Sequence, residues 1–170
     1  MHVVLVHPEI APNTGAIIRL CANTGAELHL VEPLGFVLSD SLLKRGGLDY
    51  HEHATMQVHP DVDTALAGLP GRRFGFSSRG ARRYTDITFA PDDVLVFGAE
   101  RAGLDEHAMS RIPDDHLLSI PMRPDNRSLN LANAVSIVLY EAWRQHGFDG
   151  AAPLGGTTTA ERLHLDPFDR

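Results

Sequence analysis

With 170 residues, 43% of them hydrophobic, the chain can bury one core but not two full domains. No apolar run approaches the roughly 20 residues of a membrane-spanning helix, and a single cysteine, Cys21, excludes an intramolecular disulfide. The net charge of -7 does not advertise phosphate binding, yet Lys44 is the only lysine among 15 basic residues, so 14 are arginines. Arg72, Arg73, Arg79, Arg82 and Arg83 crowd together. Arginine forks suit phosphates and base edges, although a set of solvated surface charges is the plainer account of this feature alone.

In chain order, the first apolar run follows no basic segment and stops at Pro8, so it reads as a strand rather than a signal peptide and predicts a cytoplasmic protein. Apolar runs bounded by turn residues predict strands over 3–6, 28–31, 74–76, 94–97 and 117–120. Helices are predicted over 13–23, 63–69 and 129–146, where apolar residues recur at helical spacing. Cys21 lies among Ile17, Ile18 and Leu20 in the first of these, which predicts an ordinary buried thiol. Strands this apolar, alternating with helices, imply an α/β domain over 1–148 with a mainly parallel sheet covered on both faces. The last helix is apolar around much of its girth, which calls for burial inside the domain or in a subunit interface. From 149 to 170 the chain is small, polar and aperiodic, and reads as a flexible tail.

Ligands of open parallel sheets bind beyond the carboxyl ends of the strands, so the segments after Phe76, Phe97 and Ile120 are the first places to search. Three segments stand out. Asn13-Thr14-Gly15 opens the first helix, where Asn13 is a capping candidate. Arg19 shares a helical face with Gly15, Ala16, Ala22 and Asn23, a surface another backbone can approach. Gly98-Ala99-Glu100-Arg101 follows an apolar strand, with Gly98 permitting close backbone approach. Glu100 is either aimed out of the strand end or an acid in the first turn of the next helix. Ser128, Asn130 and Asn133 crowd the start of the last helix; one can cap it, while the others look like specific hydrogen-bonding groups. Neither a dinucleotide fingerprint nor a phosphate loop is present. His51, His53 and His59 have a spacing that could ligate a metal, but a polar strand and turn explains them better, and no metal is expected.

These three segments, in this order, resemble the three motifs of the SPOUT methyltransferases over nearly the whole chain up to about Phe148. Within that class the chain is similar to the small stand-alone tRNA wobble 2'-O-methyltransferases, through Pro8-Glu9-Ile10, Asn13-Thr14-Gly15, 19–25, 47–52 and 140–145. The resemblance implies an α/β-knot fold with a C-terminal trefoil knot, S-adenosylmethionine as cofactor with S-adenosylhomocysteine as product, and a homodimer whose interface completes the active site. It implies cofactor contacts at Phe76, Gly98, Ile120 and Ser128, catalytic roles for Arg19, Glu100 and Asn130, and substrate binding by Asn13, Arg79 and Arg127. Close relatives often carry proline before the glutamate and threonine after it, where this chain has Ala99 and Arg101. The expected substrate is a tRNA anticodon stem-loop, methylated on the wobble ribose. A guanidinium rarely gives up its proton, so Arg19 reads as a clamp that stabilises the emerging alkoxide, the proton leaving to Glu100, a phosphate oxygen or water. The rival readings are a SPOUT enzyme acting on another tRNA or rRNA site and a catalytically silent RNA-binding dimer of the same fold.

Overall fold

The structure is a computed structural model that describes residues 1–38 and 56–153. Its centre is a parallel sheet of seven strands: β1 (His2–Val6), β2 (Glu27–Val31), β3 (Met56–His59), β4 (Arg73–Phe76), β5 (Arg82–Arg83), β6 (Val94–Phe97) and β7 (Leu117–Ser119), in the order β3-β2-β1-β6-β4-β7-β5. The helices are α1 (Ala11–Thr24), α2 (Val62–Ala67), α3 (Glu106–Ser110) and α4 (Leu131–Gln145). This is the α/β architecture expected from the sequence.

Strand side chains alternate between two cores, as the two-residue period of a pleated strand requires. Val3, Leu5, Leu28, Leu30, Phe74, Leu95 and Phe97 face one layer with Ile17, Ile18 and Cys21 of α1 and Val135, Val138 and Leu139 of α4. Val4, Val6, Val31, Val94 and Val96 face the other with Val62, Ala65 and Leu66 of α2 and Ala108 of α3. Cys21 is buried, and burial pushes its thiol up to about 12, which makes it core packing rather than a nucleophile. The apolar girth of α4 is spent mainly inside this chain, where it packs on α1; Ile137 and Tyr140 remain exposed.

Several boundaries differ from those predicted. Helix α1 starts before Asn13, because Pro12 suits a first turn and Ile10 holds the cap position. Helix α4 starts after Asn130 rather than at Leu129, because the Asn130 side chain caps it. Strand β3, Met56-Gln57-Val58-His59, lies outside the apolar runs and is a half-exposed edge, in keeping with the polar strand read around His59. Strand β5 is two exposed arginines, paired to β7 and tied by hydrogen bonds to Asp86 and Asp115.

Strand β5 follows β4 in sequence yet lies beyond β7, so the connection between them must pass β7. It does so at Gly80, where a Cβ would lie 2.3 Å from the Leu118 carbonyl carbon, a contact only glycine tolerates. The Ser77 amide donates to the Leu118 carbonyl at 2.9 Å and seals the same crossing. Among the described residues no helix is long and apolar enough to cross a membrane.

Candidate functional site

The carboxyl ends of the adjacent strands β6, β4 and β7 open into a cavity of about 180 Å³. Phe76, Gly98, Ile120 and Ser128, the four residues expected to meet a cofactor, all line it. The rings of Phe76 and Phe97 stack at 4.6 Å, and Leu104, Leu131 and Ala134 complete an apolar slot, while Ser77, Ser78, Arg79 and Glu100 supply polar groups. A slot of this kind accepts a flat aromatic base on its apolar side and hydrogen-bonding groups on its rim.

One wall is the turn from Gly98 to Leu104. The Ala99 and Gly103 backbones exchange two hydrogen bonds, at 3.2 and 2.8 Å, so the turn closes on itself. Gly98 makes that possible, because a Cβ there would lie 2.0 Å from the Gly103 carbonyl carbon and 2.1 Å from the Leu104 nitrogen. The sequence suggests close backbone approach at Gly98; the structure puts the chain's own backbone there.

Glu100 does not sit in the first turn of the following helix, which starts at Glu106 with Asp105 as its cap. Its carboxylate instead crosses to the start of α1, accepting from the Glu9 amide at 2.7 Å, the Ile10 amide at 3.2 Å and Asn13 Nδ2 at 3.0 Å. A carboxylate at that position satisfies amides that no helical carbonyl can reach and faces the positive end of the helix dipole. Asn13 Oδ1 in turn accepts from Asn130 Nδ2 at 2.9 Å, and Asn130 Oδ1 accepts the Ala132 and Asn133 amides of α4 at 2.9 and 3.3 Å. The direction of this chain is forced: a carboxylate can only accept, so the Asn13 amide group must face it, and each carbonyl then points to the next donor. Asn13 is therefore not the cap of α1; it is the link that joins the starts of α1 and α4 to the Gly98 turn. No feature near Glu100 in sequence signals a partner 87 residues away.

Glu9, absent from the predicted site, holds the same turn from outside. Its carboxylate receives Arg101 Nε at 3.2 Å, an Arg101 terminal nitrogen at 3.1 Å and the Arg101 amide at 3.1 Å. The Arg101 guanidinium and amide hold the Glu9 carboxyl below its ordinary value. Arg101 thus fastens the turn.

The remaining basic residues divide. Arg72 is structural, with its guanidinium on buried Asp93 at 2.7 and 3.0 Å. Arg82 reaches the carbonyls of Asp86 and Asp115. Arg79 lines the cavity, and Arg127 lies on the exposed segment 121–130 that forms its other wall. Arg19 is exposed on α1, on the same surface as Ala16 and Asn23, and does not line the cavity of its own chain.

Of the histidines singled out by spacing, His51 and His53 lie outside the described residues, as does the 47–52 motif. His59 instead belongs to a row with His2 and His29.

Comparison with known proteins adds to this geometry. Residues 1–140 match the SpoU rRNA Methylase family. A tRNA (cytidine(34)-2'-O)-methyltransferase of Burkholderia ambifaria is 54% identical over 154 residues, covering 89% of this chain and 99% of that protein. A solved structure described as giving insight into the 2'-hydroxyl methylation of C/U34 on tRNA is 44% identical, with a TM-score of 0.78, over 86% of this chain and 95% of that one. The SpoU methyltransferase AviRb of Streptomyces viridochromogenes, solved with AdoMet, is 27% identical with a TM-score of 0.75, over 89% of this chain and 59% of that one.

Proposed function

Because the chain belongs to the SpoU rRNA Methylase family, we propose that it transfers a methyl group from S-adenosylmethionine to the ribose 2'-hydroxyl of the wobble nucleotide, cytidine or uridine 34, of a tRNA. The observation that carries this reading is the cavity at the carboxyl ends of β4, β6 and β7, lined by Glu100, whose hydrogen bonds run on behind it through Asn13 to Asn130. The lining fits the cofactor: an apolar slot for an adenine, with backbone groups at three strand ends and the Ser128 hydroxyl for its polar parts. The SPOUT trefoil knot goes with this family, and the passage of the 77–81 connection around β7 supports it.

When bound, S-adenosylmethionine supplies a methyl group on a sulfonium, whose leaving group is neutral, so positioning and a proton acceptor suffice. Phe76, Gly98, Ile120 and Ser128 hold the cofactor, and the apolar slot excludes water from it. Glu100 has three donors already, so its role is to position the Gly98 turn and Asn130 rather than to take the proton, which leaves to a phosphate oxygen or water. Asn13 and Asn130 fix the edge against which the ribose rests, and Arg79 and Arg127 hold the anticodon phosphates. Arg19 clamps the ribose and stabilises the emerging alkoxide.

Arg19 lies outside its own cavity, so it acts in the cavity of a second copy. A homodimer in the cytoplasm is the working form, and Ile10, Leu129, Ile137 and Tyr140 are among the exposed apolar side chains that an interface could cover. The test is mass spectrometry of tRNA from a strain lacking the protein. The 2'-O-methyl group at nucleotide 34 should disappear and return with the wild-type chain but not with Arg19→Ala. Unchanged methylation at 34 contradicts the reading, and loss at an rRNA nucleotide instead would transfer it to that substrate.

A further inference from the structure

At the opposite end of the sheet lies a group of side chains that methyl transfer does not use. His2 and Glu27 are the first residues of β1 and β2, and the parallel register sets them directly opposite each other. Glu27 and His29 are two apart on one strand and so share a face. His2 Nδ1 lies 3.3 Å from His29 Nε2 and 3.6 Å from a Glu27 carboxylate oxygen, and the ligand atoms of all three fall within 4.8 Å of one another. His29 is 2% exposed, and its other ring nitrogen, Nδ1, lies 3.1 Å from His59 Nε2.

We propose that His2, Glu27 and His29 form a binding site for a zinc-class divalent cation, with His59 orienting His29 from the second layer. Two nitrogens at about 2.05 Å from a tetrahedral ion stand roughly 3.3 Å apart, the spacing of the two ring nitrogens here. The donor set of two imidazoles and one carboxylate is that of a borderline cation with a fourth position left for water. If His29 ligates through Nε2, Nδ1 must carry the proton and donate it, and His59 Nε2 stands where that donor needs an acceptor, the outer partner that metal-bound histidines usually have. A plain hydrogen bond between two imidazoles accounts for the His2–His29 distance but gives the Glu27 carboxylate beside it no donor of its own.

The test uses the full chain, stripped with a chelator and titrated with Co²⁺ and then Zn²⁺. One Co²⁺ per chain should bind with the visible absorption of a four-coordinate ion, and Zn²⁺ should displace it. His2→Ala and Glu27→Ala, both at partly exposed positions, should each weaken binding at least tenfold, while His107→Ala on exposed α3 should not. In the wild type Zn²⁺ should raise the melting temperature, and in Glu27→Ala it should not, which separates loss of the site from loss of the fold. No four-coordinate spectrum, or equal affinity in the wild type, His2→Ala and Glu27→Ala, would overturn the proposal.

Discussion

The two walls of the cavity are held in different ways. The turn from Gly98 to Leu104 is fastened at Ala99 and Gly103, by the three bonds of Glu100 and by the Arg101–Glu9 pair. Residues 121–130 are all exposed, and the Asn126 side chain bonds only to the Arg123 and Pro124 carbonyls, within the segment, until Asn130 reaches α4 and Asn13. The fastened wall is set before anything binds, so little ordering entropy is lost there on binding. The exposed wall, with Met122 and Leu129 uncovered, would under the proposed function gain its partners only on binding cofactor, RNA or a second copy. Substitutions in the first should therefore cost stability and binding together, and substitutions in the second should cost binding alone.

The largest effect is expected at Gly98. In Gly98→Val the new side chain meets the Gly103 and Leu104 backbone, which cannot swing aside as a side chain could. Overpacking of this kind costs about 1–3 kcal/mol, and the distorted turn should lower S-adenosylmethionine affinity at least tenfold. Calorimetry and thermal unfolding read both, and an unchanged melting temperature with unchanged affinity would break the contrast.

Asn13→Ala comes next. It removes a donor from Glu100 and the acceptor of the exposed Asn130 Nδ2, and loss of the two hydrogen bonds made by buried Asn13 costs about 1–3 kcal/mol. Methyl transfer should fall by more than the lost stability accounts for, because both helix starts lose their common link. Wild-type activity in a folded Asn13→Ala protein would show that the link positions nothing the reaction needs.

On the exposed wall, Arg127→Ala should change stability by less than about 0.5 kcal/mol. It should weaken RNA binding while leaving S-adenosylmethionine affinity untouched, and flatten the salt dependence by about one unit, because one phosphate is no longer neutralised. Salt titrations of stem-loop binding give the slope. A large drop in melting temperature would mean that this wall too is fastened.

The same contrast explains what can be read from the sequence. Strands β1, β2, β4, β6 and β7 are short apolar runs between turn residues, and they are legible because burial on both faces leaves that pattern. The cavity's position follows from the rule for open parallel sheets, and Phe76, Gly98, Ile120 and Ser128 do lie on it. The fastenings are not legible. Glu9 and Arg101 are 92 residues apart, Asn13 and Asn130 are 117 apart, and each has an adequate local explanation, as a surface charge or a helix cap. Strand β3 leaves no apolar run, because an edge strand need not be apolar, and only the polar pattern around His59 hints at it. The His2–His29–His59 row escapes because its members sit on three strands and share no spacing.

Under the proposed function the wobble 2'-hydroxyl is the nucleophile placed against this cavity. The most direct measurement of that role is methyl transfer from labelled S-adenosylmethionine to a minimal anticodon stem-loop, compared with the same RNA carrying a 2'-deoxyribose at nucleotide 34 alone. Incorporation into the first and none into the second is the predicted result, with both RNAs binding to a similar degree, since phosphates supply most of the affinity. Continued incorporation into the deoxy stem-loop would contradict the account, because no acceptor oxygen would remain at the proposed position.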